Sequence, residues 1–169
     1  MFAFAIWDET NQTVFLARDR FGEQPLYYTI LDDGLLLFAS ELKSILLHPR
    51  AQRDIDPRAV ANYFAYGYIP DPKTIYGSIV KLPPAHMLTL HRGAPIPAPR
   101  EYWDVSFRDS GQSDEQAVRE ALIERLRQTV GMRMMADVPL GAFLSGGVDS
   151  SAVVAMMSEL SQAPVNTCS

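Results

Sequence analysis

Residues 145–151, with the sequence Ser-Gly-Gly-Val-Asp-Ser-Ser, constrain the fold of this chain more than any other segment. The apolar residues 140–144 before them predict a buried strand, and residues 152–161 after them predict a helix. Residues 165–169 predict a second strand. A strand, a helix and a strand in this order predict the opening βαβ unit of a parallel sheet, with residues 145–151 as the tight loop after its first strand.

A loop in that position favours an anion, because the free N–H groups and the dipole of a helix N-terminus both attract negative charge. Gly146 and Gly147 have no Cβ, so the backbone can turn sharply and approach a phosphate. The hydroxyls of Ser145 and Ser150 can donate hydrogen bonds to phosphate oxygens. Asp149 would repel a bare phosphate, and its role is therefore interpreted as holding a Mg²⁺ ion that bridges the phosphate oxygens.

This loop lacks the Gly-Lys-Ser/Thr ending of a Walker A loop. It resembles instead the Ser-Gly-Gly-X-Asp-Ser loop of the ATP pyrophosphatase superfamily. A strand-to-helix turn that is merely rich in glycine and serine is the alternative, but six matching positions in this context argue against it. The resemblance implies that ATP is cleaved to AMP and pyrophosphate while a carbonyl or carboxylate oxygen is adenylated.

The first part of the chain predicts strands joined by turns. The predicted strands are residues 2–7, 13–17, 25–30 and 35–39, of which the first two form a hairpin. Their near-continuous apolar character predicts burial on both faces. Residues 40–47 predict a short helix capped by Ser40. A second helix is predicted to begin at Asp56 and Pro57 and to end at Gly67, with a further strand over 86–91.

A change in composition marks a predicted domain boundary. Residues 95–112 contain three alternating prolines and end in a polar break that runs into Ser113, which predicts a linker between a domain over 1–94 and a second over 113–169. Ser113 and Gln116 predict a capping box before a long helix. The apolar stripe of that helix is predicted to pack in a core; it comprises Val118, Leu122, Leu126 and Val130, with Ala121 beside it.

The sequence around the loop resembles glutamine-hydrolysing asparagine synthetases. Residues 136–144 are similar to the Asp-Val-Pro-X-Gly segment and hydrophobic strand that precede the loop in that family. Several earlier segments look like the later strands of its glutaminase domain and the stretch that follows, namely residues 1–8, 17–22, 25–28, 38–43, 67–70 and 81–86. The fold implied is α+β followed by α/β. Its first part is the C-terminal part of an N-terminal-nucleophile glutaminase sheet, and its second is the first βαβ unit of a Rossmann-like adenine-nucleotide hydrolase domain.

That resemblance implies an activity and a set of ligands. In the family, one domain releases ammonia from glutamine, and the ammonia travels through an internal tunnel to the second domain. There ATP adenylates the side-chain carboxylate of aspartate, and ammonia displaces AMP. The implied cofactors are ATP and Mg²⁺, and Asp149 is the implied Mg²⁺ residue, through pyrophosphate. The implied ATP and pyrophosphate residues are Leu144, Ser145, Gly146, Gly147, Asp149 and Ser150.

The glutaminase nucleophile of the family is a cysteine at the mature N-terminus, whereas this sequence begins Met1-Phe2 and has Cys168 as its single cysteine. Cys168 lies in the second predicted synthetase strand and is interpreted as a buried small hydrophobe. The chain is therefore interpreted as an internal fragment without a glutaminase site, inactive alone. A β-lactam synthetase-like relative, another biosynthetic amidotransferase and a non-catalytic half of a split protein are the alternatives.

Composition limits the other classes of partner. The net charge of −5 and the lack of a long basic run argue against nucleic acid. One cysteine excludes a disulfide within the chain, and the scattered His48, His86 and His91 are interpreted as surface or strand residues rather than metal ligands. No apolar run approaches the ~18 residues of a membrane span, and the N-terminus lacks the basic region of a signal peptide, which predicts a cytoplasmic protein. A homodimer is compatible with the sequence.

Two charged groups have both a structural and a functional interpretation. Residues 18–20, Arg-Asp-Arg, are predicted to form an ion pair at a strand end, in preference to guiding an inter-domain contact or the ammonia path. Glu41 and Lys43 are predicted to lie on a solvated helix face rather than to touch the synthetase domain.

Overall fold

The computed structural model describes residues 1–107, 111 and 114–169, and they form two compact units. Unit 1 is Met1–Ser106 and unit 2 is Phe107–Ser169. The domain boundaries drawn from the sequence stay predictions.

Unit 1 contains two antiparallel sheets and two helices. The first sheet has the strand order β1-β2-β6-β7, and the second has the order β4-β3-β5. The elements are β1 (Ala3–Asp8), β2 (Thr13–Arg18), β3 (Tyr27–Ile30), β4 (Leu36–Ala39), α1 (Leu42–Leu46), α2 (Pro57–Tyr66), β5 (Val80–Lys81), β6 (His86–His91) and β7 (Arg100–Glu101).

The predicted hairpin is confirmed as β1 and β2, which pair from Ala3 opposite Arg18 to Asp8 opposite Thr13. The carboxylate of Asp8 closes the turn by accepting hydrogen bonds from the backbone and side-chain N–H groups of Asn11, at 3.0 and 2.7 Å. A short acidic side chain that bonds its own turn is a local device, which explains why the sequence predicts this element well.

The core of unit 1 joins its two sheets. Its larger cluster is built on Leu16 and Leu88 from the first sheet and on Leu26 and Leu82 next to the second, and a smaller cluster surrounds Ile45 of α1. The prediction of strands buried on both faces holds for most of β2. It is wrong for β3 and β4, which are mostly half-buried, and most clearly for β1, which is exposed from Phe4 onward. The exposure of β1 follows from its position at the edge of the sheet. Among the described strands β1 pairs with β2 on one side, and no strand pairs with its other side.

The two helices of unit 1 differ in how well their ends were predicted. Helix α1 begins at Leu42, and the extended Glu41 occupies its N-cap, so the predicted cap at Ser40 is wrong. Helix α2 begins and ends as predicted, with Asp56 accepting from the backbone N–H of Arg58 at 2.9 Å and Gly67 in the left-handed conformation. Glu41 and Lys43 form an ion pair in solvent, which confirms their predicted exposure, although Glu41 precedes the helix rather than lying on its face.

Arg18, which is buried, forms an ion pair at the end of β2 with the exposed Asp71 rather than with its neighbour Asp19. The guanidinium lies 2.9 Å from the Asp71 carboxylate, which also contacts Lys81 at 2.8 Å. It also donates to three backbone carbonyls at 2.7–2.9 Å, those of Gly22, Gln24 and Leu82. The predicted structural ion pair is therefore confirmed for Arg18, with a partner far away in the sequence.

Asp19 has a different role from the one predicted. Its carboxylate is buried and accepts hydrogen bonds at 3.0–3.3 Å from four backbone N–H groups, those of Phe2, Phe21, Glu23 and Gln24. It holds the loop after β2 and the residue before β1 together. Arg20 forms no ion pair with it; its guanidinium lies 5.4 Å from the ring centroid of Trp103.

Part of the predicted linker belongs to the first sheet. Strand β7 pairs with β6, and the next residue, Tyr102, donates from its backbone N–H to the carbonyl of Ala85 at 2.8 Å. The hydroxyl of Tyr102 donates to the carbonyl of Arg18 at 2.7 Å. Trp103 then packs edge-on against Phe21, with 5.4 Å between ring centroids. Residues 100–103 are thus fixed to the end of β2.

Replacing Tyr102 by phenylalanine is expected to lower the free energy of unfolding of unit 1 by about 1 kcal/mol, because one half-buried hydrogen bond is lost without a change in shape. Urea titration would measure the change, with the exposed Tyr68→Phe variant as the control that leaves it unaltered. Equal stability of the Tyr102→Phe variant and the parent would show that this bond does not anchor the segment.

Unit 2 contains a βαβ unit preceded by a long helix. Its elements are α3 (Glu115–Arg133), β8 (Gly141–Phe143), α4 (Val148–Leu160) and β9 (Asn166–Cys168). Strands β8 and β9 pair in parallel, with Gly141 opposite Asn166 and Phe143 opposite Cys168. The predicted strand, helix and parallel strand are confirmed. The predicted burial of the first strand is wrong, because β8 has β9 as its one partner in the described part of the chain.

Helix α3 is capped by Asp114, whose carboxylate accepts from the backbone N–H groups of Gln116 and Ala117 at 3.0 and 3.4 Å. The Ser113 of the predicted capping box lies outside the described residues. Val130 is buried, as predicted for the stripe, but core packing is wrong for the rest of it, since the other members are exposed: Val118, Ala121, Leu122 and Leu126.

This difference follows from where α3 meets α4. The contacts between the two helices lie toward the C-terminal end of α3, where Arg127 and Glu159 pair at 3.1 Å and a Cβ on Gly131 would lie 3.5 Å from Leu160. The N-terminal half of α3 therefore keeps its apolar side chains in solvent. None of the described helices has the length and apolar character to cross a membrane.

Candidate functional site

The glycine-containing loop connects the end of β8 to the start of α4. The backbone N–H of Leu144 donates to the carbonyl of Cys168 at 2.8 Å, which extends the pairing of the two parallel strands by one residue. Gly146 then turns the chain with φ of +80°, and Gly147 is extended at the N-cap of α4. A positive φ is a conformation that glycine adopts without steric cost, so the sequence suits the turn.

The helix begins earlier than the sequence predicted. The N–H of Ser151 donates to the carbonyl of Gly147 at 3.1 Å, so the first helical turn contains residues 148–151 and the connecting loop is 144–147. The prediction of a loop through 151 is therefore wrong. The consequence is that Asp149 and Ser150 are positioned by a helix rather than by a loop.

The two serine hydroxyls assigned to phosphate lie together. The Oγ atoms of Ser145 and Ser150 are 3.1 Å apart, and the Ser150 hydroxyl also donates to the carbonyl of Gly147 at 3.2 Å. Ser145 is exposed and Ser150 half-buried. Each hydroxyl oxygen can therefore turn toward an anion over the loop by a change of χ1 rotamer.

The N-terminus of α4 is open. Among the described residues no side chain caps it, and the first N–H groups of any helix lack intrahelical partners. Asp149 is exposed in this first turn, where a carboxylate is already stabilised by the helix dipole. That purely structural role would suit Asp149 as well as a role in holding a metal ion.

The residues fit a magnesium-bearing polyphosphate. A Cβ built on Gly146 would meet no heavy atom within 4 Å, so the turn has free space beside its backbone. Two hydroxyls and open N–H groups supply donors, and Asp149 supplies the hard oxygen ligand that Mg²⁺ prefers. Within the described ranges no cluster of three or more His, Cys, Asp or Glu could hold a metal ion. One carboxylate with phosphate oxygens is a common way to bind Mg²⁺.

Two further candidate residues, Leu144 and Cys168, lie at the ends of the paired strands β8 and β9. Leu144 is half-buried at the end of β8, next to the loop. Cys168 is exposed, so its prediction as a buried residue is wrong, because β9 has β8 as its single described neighbour. The sequence did not identify the Cys168 carbonyl as the acceptor that holds Leu144. The predicted parallel pairing of the two strands could have indicated this acceptor, since neighbouring parallel strands form backbone hydrogen bonds of this kind.

The three histidines make separate contacts, each with a different part of unit 1. His86 and His91 lie in β6, as expected of strand residues, and the ring of His91 shares a hydrogen bond of 2.8 Å with the hydroxyl of Thr13. A ring nitrogen of His48 accepts from the backbone N–H of Arg50 at 3.3 Å. These contacts give them structural roles.

Comparison with known proteins defines the class first. The model of the glutamine amidotransferase domain matches residues 1–103, which is more than half of the chain, and the chain belongs to that family. The model named asparagine synthase matches residues 121–169, the part that contains the glycine loop. The order of the two matches is an amidotransferase domain followed by the start of a synthetase domain.

Individual relatives agree with the two models. The chain is 35% identical over 161 residues to asparagine synthetase [glutamine-hydrolyzing] 1 of Bacillus subtilis, in an alignment of 94% of this chain and 24% of the relative. It is 38% identical over 159 residues to synthetase 3 of the same organism, over 92% of this chain and 25% of the relative. Amidase chry2 of Gibberella zeae is 38% identical over 173 residues, with 94% and 23% covered.

These matches confirm the resemblance to glutamine-hydrolysing asparagine synthetases. The members of that family are enzymes of the ligase class. The chain spans about a quarter of the length of these relatives.

Proposed function

We propose that this chain is part of an ATP-dependent amidotransferase of the asparagine synthetase type, and that residues 144–150 bind the polyphosphate of ATP. The observation that carries the proposal is the geometry of the loop. A glycine with φ of +80° precedes an uncapped helix N-terminus in the described chain, with two serine hydroxyls 3.1 Å apart beside it. In this proposal unit 1 is the later part of an N-terminal-nucleophile glutaminase sheet, and unit 2 begins a Rossmann-like domain.

Each residue of the loop has a distinct part in binding. The N–H groups in the first turn of α4 donate to phosphate oxygens, and the helix dipole stabilises their charge. Ser145 and Ser150 donate from their hydroxyls to the same anion. Asp149 holds Mg²⁺, which when bound neutralises charge on the phosphates. Leu144 places its apolar side chain beside the nucleotide.

The reaction proposed for the whole enzyme has two steps. A side-chain carboxylate oxygen of aspartate attacks the α-phosphorus of ATP, pyrophosphate leaves, and β-aspartyl-AMP forms. Ammonia from glutamine then attacks the acyl carbon, and AMP leaves with the carboxylate oxygen. The loop contributes to the first step by stabilising the negative charge that accumulates on the departing pyrophosphate. The proposed compartment is the cytoplasm.

An acceptor other than free aspartate is a second candidate. Amidase chry2 is as similar to this chain, at 38% identity, as asparagine synthetase 3 is. The loop chemistry is the same in both cases, because adenylation requires a carboxylate and not a particular acid. Exchange of labelled pyrophosphate into ATP by the whole enzyme would distinguish them. Exchange that depends on aspartate supports the first candidate, and exchange with another carboxylic acid but not aspartate supports the second. A β-lactam synthetase-like reaction and a split protein remain alternatives to both.

Replacing Asp149 by alanine is expected to weaken binding of Mg-ATP to the chain at least about tenfold, because the Mg²⁺ ion loses its carboxylate ligand. Isothermal titration calorimetry would measure it. Asp137→Ala is the matched control, since Asp137 is also an exposed aspartate of unit 2 and lies outside the loop.

Three outcomes would count against this proposal. Equal binding by the Asp149→Ala variant would leave Asp149 with its structural role in the helix. Equal weakening by Asp137→Ala would indicate a general charge effect. Undetectable binding by the folded parent chain would show that residues 144–150 do not suffice for binding in these 169 residues.

A further inference from the structure

The turn between β3 and β4 contains the one aspartate in the sequence that precedes a glycine, Asp33. None of the three asparagines precedes a glycine. Both Asp33 and Gly34 are exposed. Glycine has no side chain that could shield the nitrogen of its peptide bond, so the carboxyl carbon of an aspartate before it is open to attack by that nitrogen. Nothing in the proposed reaction uses this dipeptide.

The side chain of Asp33 is folded back over its own turn. Its carboxylate accepts a hydrogen bond from the backbone N–H of Leu35 at 3.3 Å, the short-range contact of an Asx turn. Because this bond spans Gly34, it holds the carboxyl carbon close to the Gly34 nitrogen. A Cβ built on Gly34 would meet no heavy atom within 4 Å, so the space beside this residue is open.

Two contacts oppose a reaction between these atoms. The N–H of Gly34 donates to the carbonyl of Leu31 at 2.8 Å, and the guanidinium of Arg50 lies 2.6 Å from the Asp33 carboxylate. The hydrogen bond from Arg50 holds the pKa of Asp33 below its usual value. An ionised carboxylate cannot lose an oxygen as water, whereas the turn at an exposed hairpin tip opens locally at little cost. Arg50 is therefore the main restraint.

We propose that Asp33 is a modification site, where aspartate is converted to isoaspartate through a succinimide at a rate that Arg50 limits. The carboxyl group is first protonated by solvent. The lone pair of the Gly34 nitrogen then forms a bond to the carboxyl carbon, and the carboxyl hydroxyl leaves with the amide proton as water. A second water molecule next cleaves one of the two bonds that join this nitrogen to carbonyl carbons in the ring. Cleavage at the side-chain carbon restores aspartate, and cleavage at the main-chain carbon gives isoaspartate.

Water reaches the site from a cavity beside the turn. The cavity has a volume of about 190 Å³, and its lining includes the polar side chains of Thr29, Asp33, Arg50 and Ser78. A polar space of this size can hold water for the hydrolysis step. The product has one additional carbon in the backbone of the turn, so the modification alters the connection between β3 and β4.

Peptide mapping of the whole chain, after several weeks at neutral pH and physiological temperature, tests this inference. Isoaspartate is expected as a second chromatographic peak of unchanged mass for the peptide that contains residue 33, with a minor species lighter by one water. Electron-transfer fragmentation assigns the position. Asp32, which is exposed in the same turn but precedes another aspartate, is the internal control and is expected to stay unmodified.

Arg50→Met is expected to raise the rate of conversion about two- to fivefold, the range that an exposed ion pair can account for. Arg53→Met is the matched control, because Arg53 is also exposed and donates to the carbonyl of Leu46 instead. Gly34→Asn is expected to abolish most of the conversion, since asparagine tolerates a positive φ and its side chain shields the nitrogen. Circular dichroism verifies that the three variants fold.

An Asp33 that stays unmodified over this period, or conversion of Asp32 to the same extent, would overturn the inference. An unchanged rate in the Gly34→Asn variant would overturn it too, because access to the Gly34 nitrogen would then not control the reaction. Equal rates in the parent and the Arg50→Met variant, or equal acceleration by Arg53→Met, would show that the Arg50 contact does not limit the conversion and would contradict that part of the inference.

Discussion

Replacing Arg18 by methionine is expected to lower the free energy of unfolding of unit 1 by about 3 kcal/mol, because a buried guanidinium that donates to three backbone carbonyls and one carboxylate is removed. Arg18 is 6% exposed, and its guanidinium bonds the carboxylate of Asp71. Methionine fills much of the same volume but donates no hydrogen bond. The variant therefore leaves a carboxylate and three backbone carbonyls short of their donor.

Urea unfolding followed by tryptophan fluorescence measures this effect selectively, because both tryptophans, Trp7 and Trp103, belong to unit 1. Arg50→Met is the matched control. Arg50 also pairs with an aspartate, Asp33 at 2.6 Å, but both side chains are about half exposed, and little change is expected there. If the two variants lose the same stability, burial of the Arg18 guanidinium does not determine its contribution.

Elements set by neighbouring residues could be predicted from the sequence. The β1–β2 hairpin depends on a turn closed by Asp8 and Asn11, and α2 depends on Asp56, Pro57 and Gly67 at its ends. The glycine loop between a strand and a helix is of the same kind, since Gly146 adopts its turn without help from distant residues. Each of these signals lies within a few positions of the structure it specifies.

Burial could not be predicted in the same way. Strands β1 and β8 are apolar and were expected inside a core, yet both are largely exposed. The apolar residues of a strand indicate that the strand could be buried. Whether it is buried depends on other elements of the protein that pack against it. The same holds for Cys168, whose strand has a single described neighbour.

Ion pairs between residues that are distant in the sequence could not be predicted either. Arg18 and Asp71 are 53 positions apart, and the adjacent Asp19 was the obvious partner by charge. The geometry excludes that choice, because Asp19 already accepts four backbone N–H groups. Within the candidate site, the early start of α4 was missed because serine, aspartate and glycine favour turns, while the hydrogen bond from Ser151 to Gly147 continues the helix through them.

Replacing Asp19 by asparagine is expected to lower the free energy of unfolding of unit 1 at neutral pH by about 2–4 kcal/mol, because four charge-assisted hydrogen bonds depend on its carboxylate. Asparagine keeps one acceptor oxygen, but its NH₂ group would face backbone N–H donors. Asp32→Asn is the control, because Asp32 is exposed and lies in a turn of the same unit. A loss as small as that of the control would show that the loop after β2 does not depend on this carboxylate.

The cost of this substitution should also depend on pH. Burial alone would raise the pKa of Asp19, but the backbone N–H groups of Gln24, Glu23, Phe2 and Phe21 outweigh it and hold the pKa below its usual value. A carboxyl whose pKa is lower in the folded state stabilises the fold at any pH above its unfolded pKa, about 3.9. That contribution disappears as the pH falls from there through the lower folded pKa.

The parent should therefore lose stability below about pH 4 more steeply than the Asp19→Asn variant, so that the difference between their unfolding free energies shrinks. All other carboxyl groups are common to both proteins, so the shrinking difference reports Asp19 alone. A difference that stays constant from neutral pH to about pH 3 would mean that the charge of Asp19 contributes nothing to the fold.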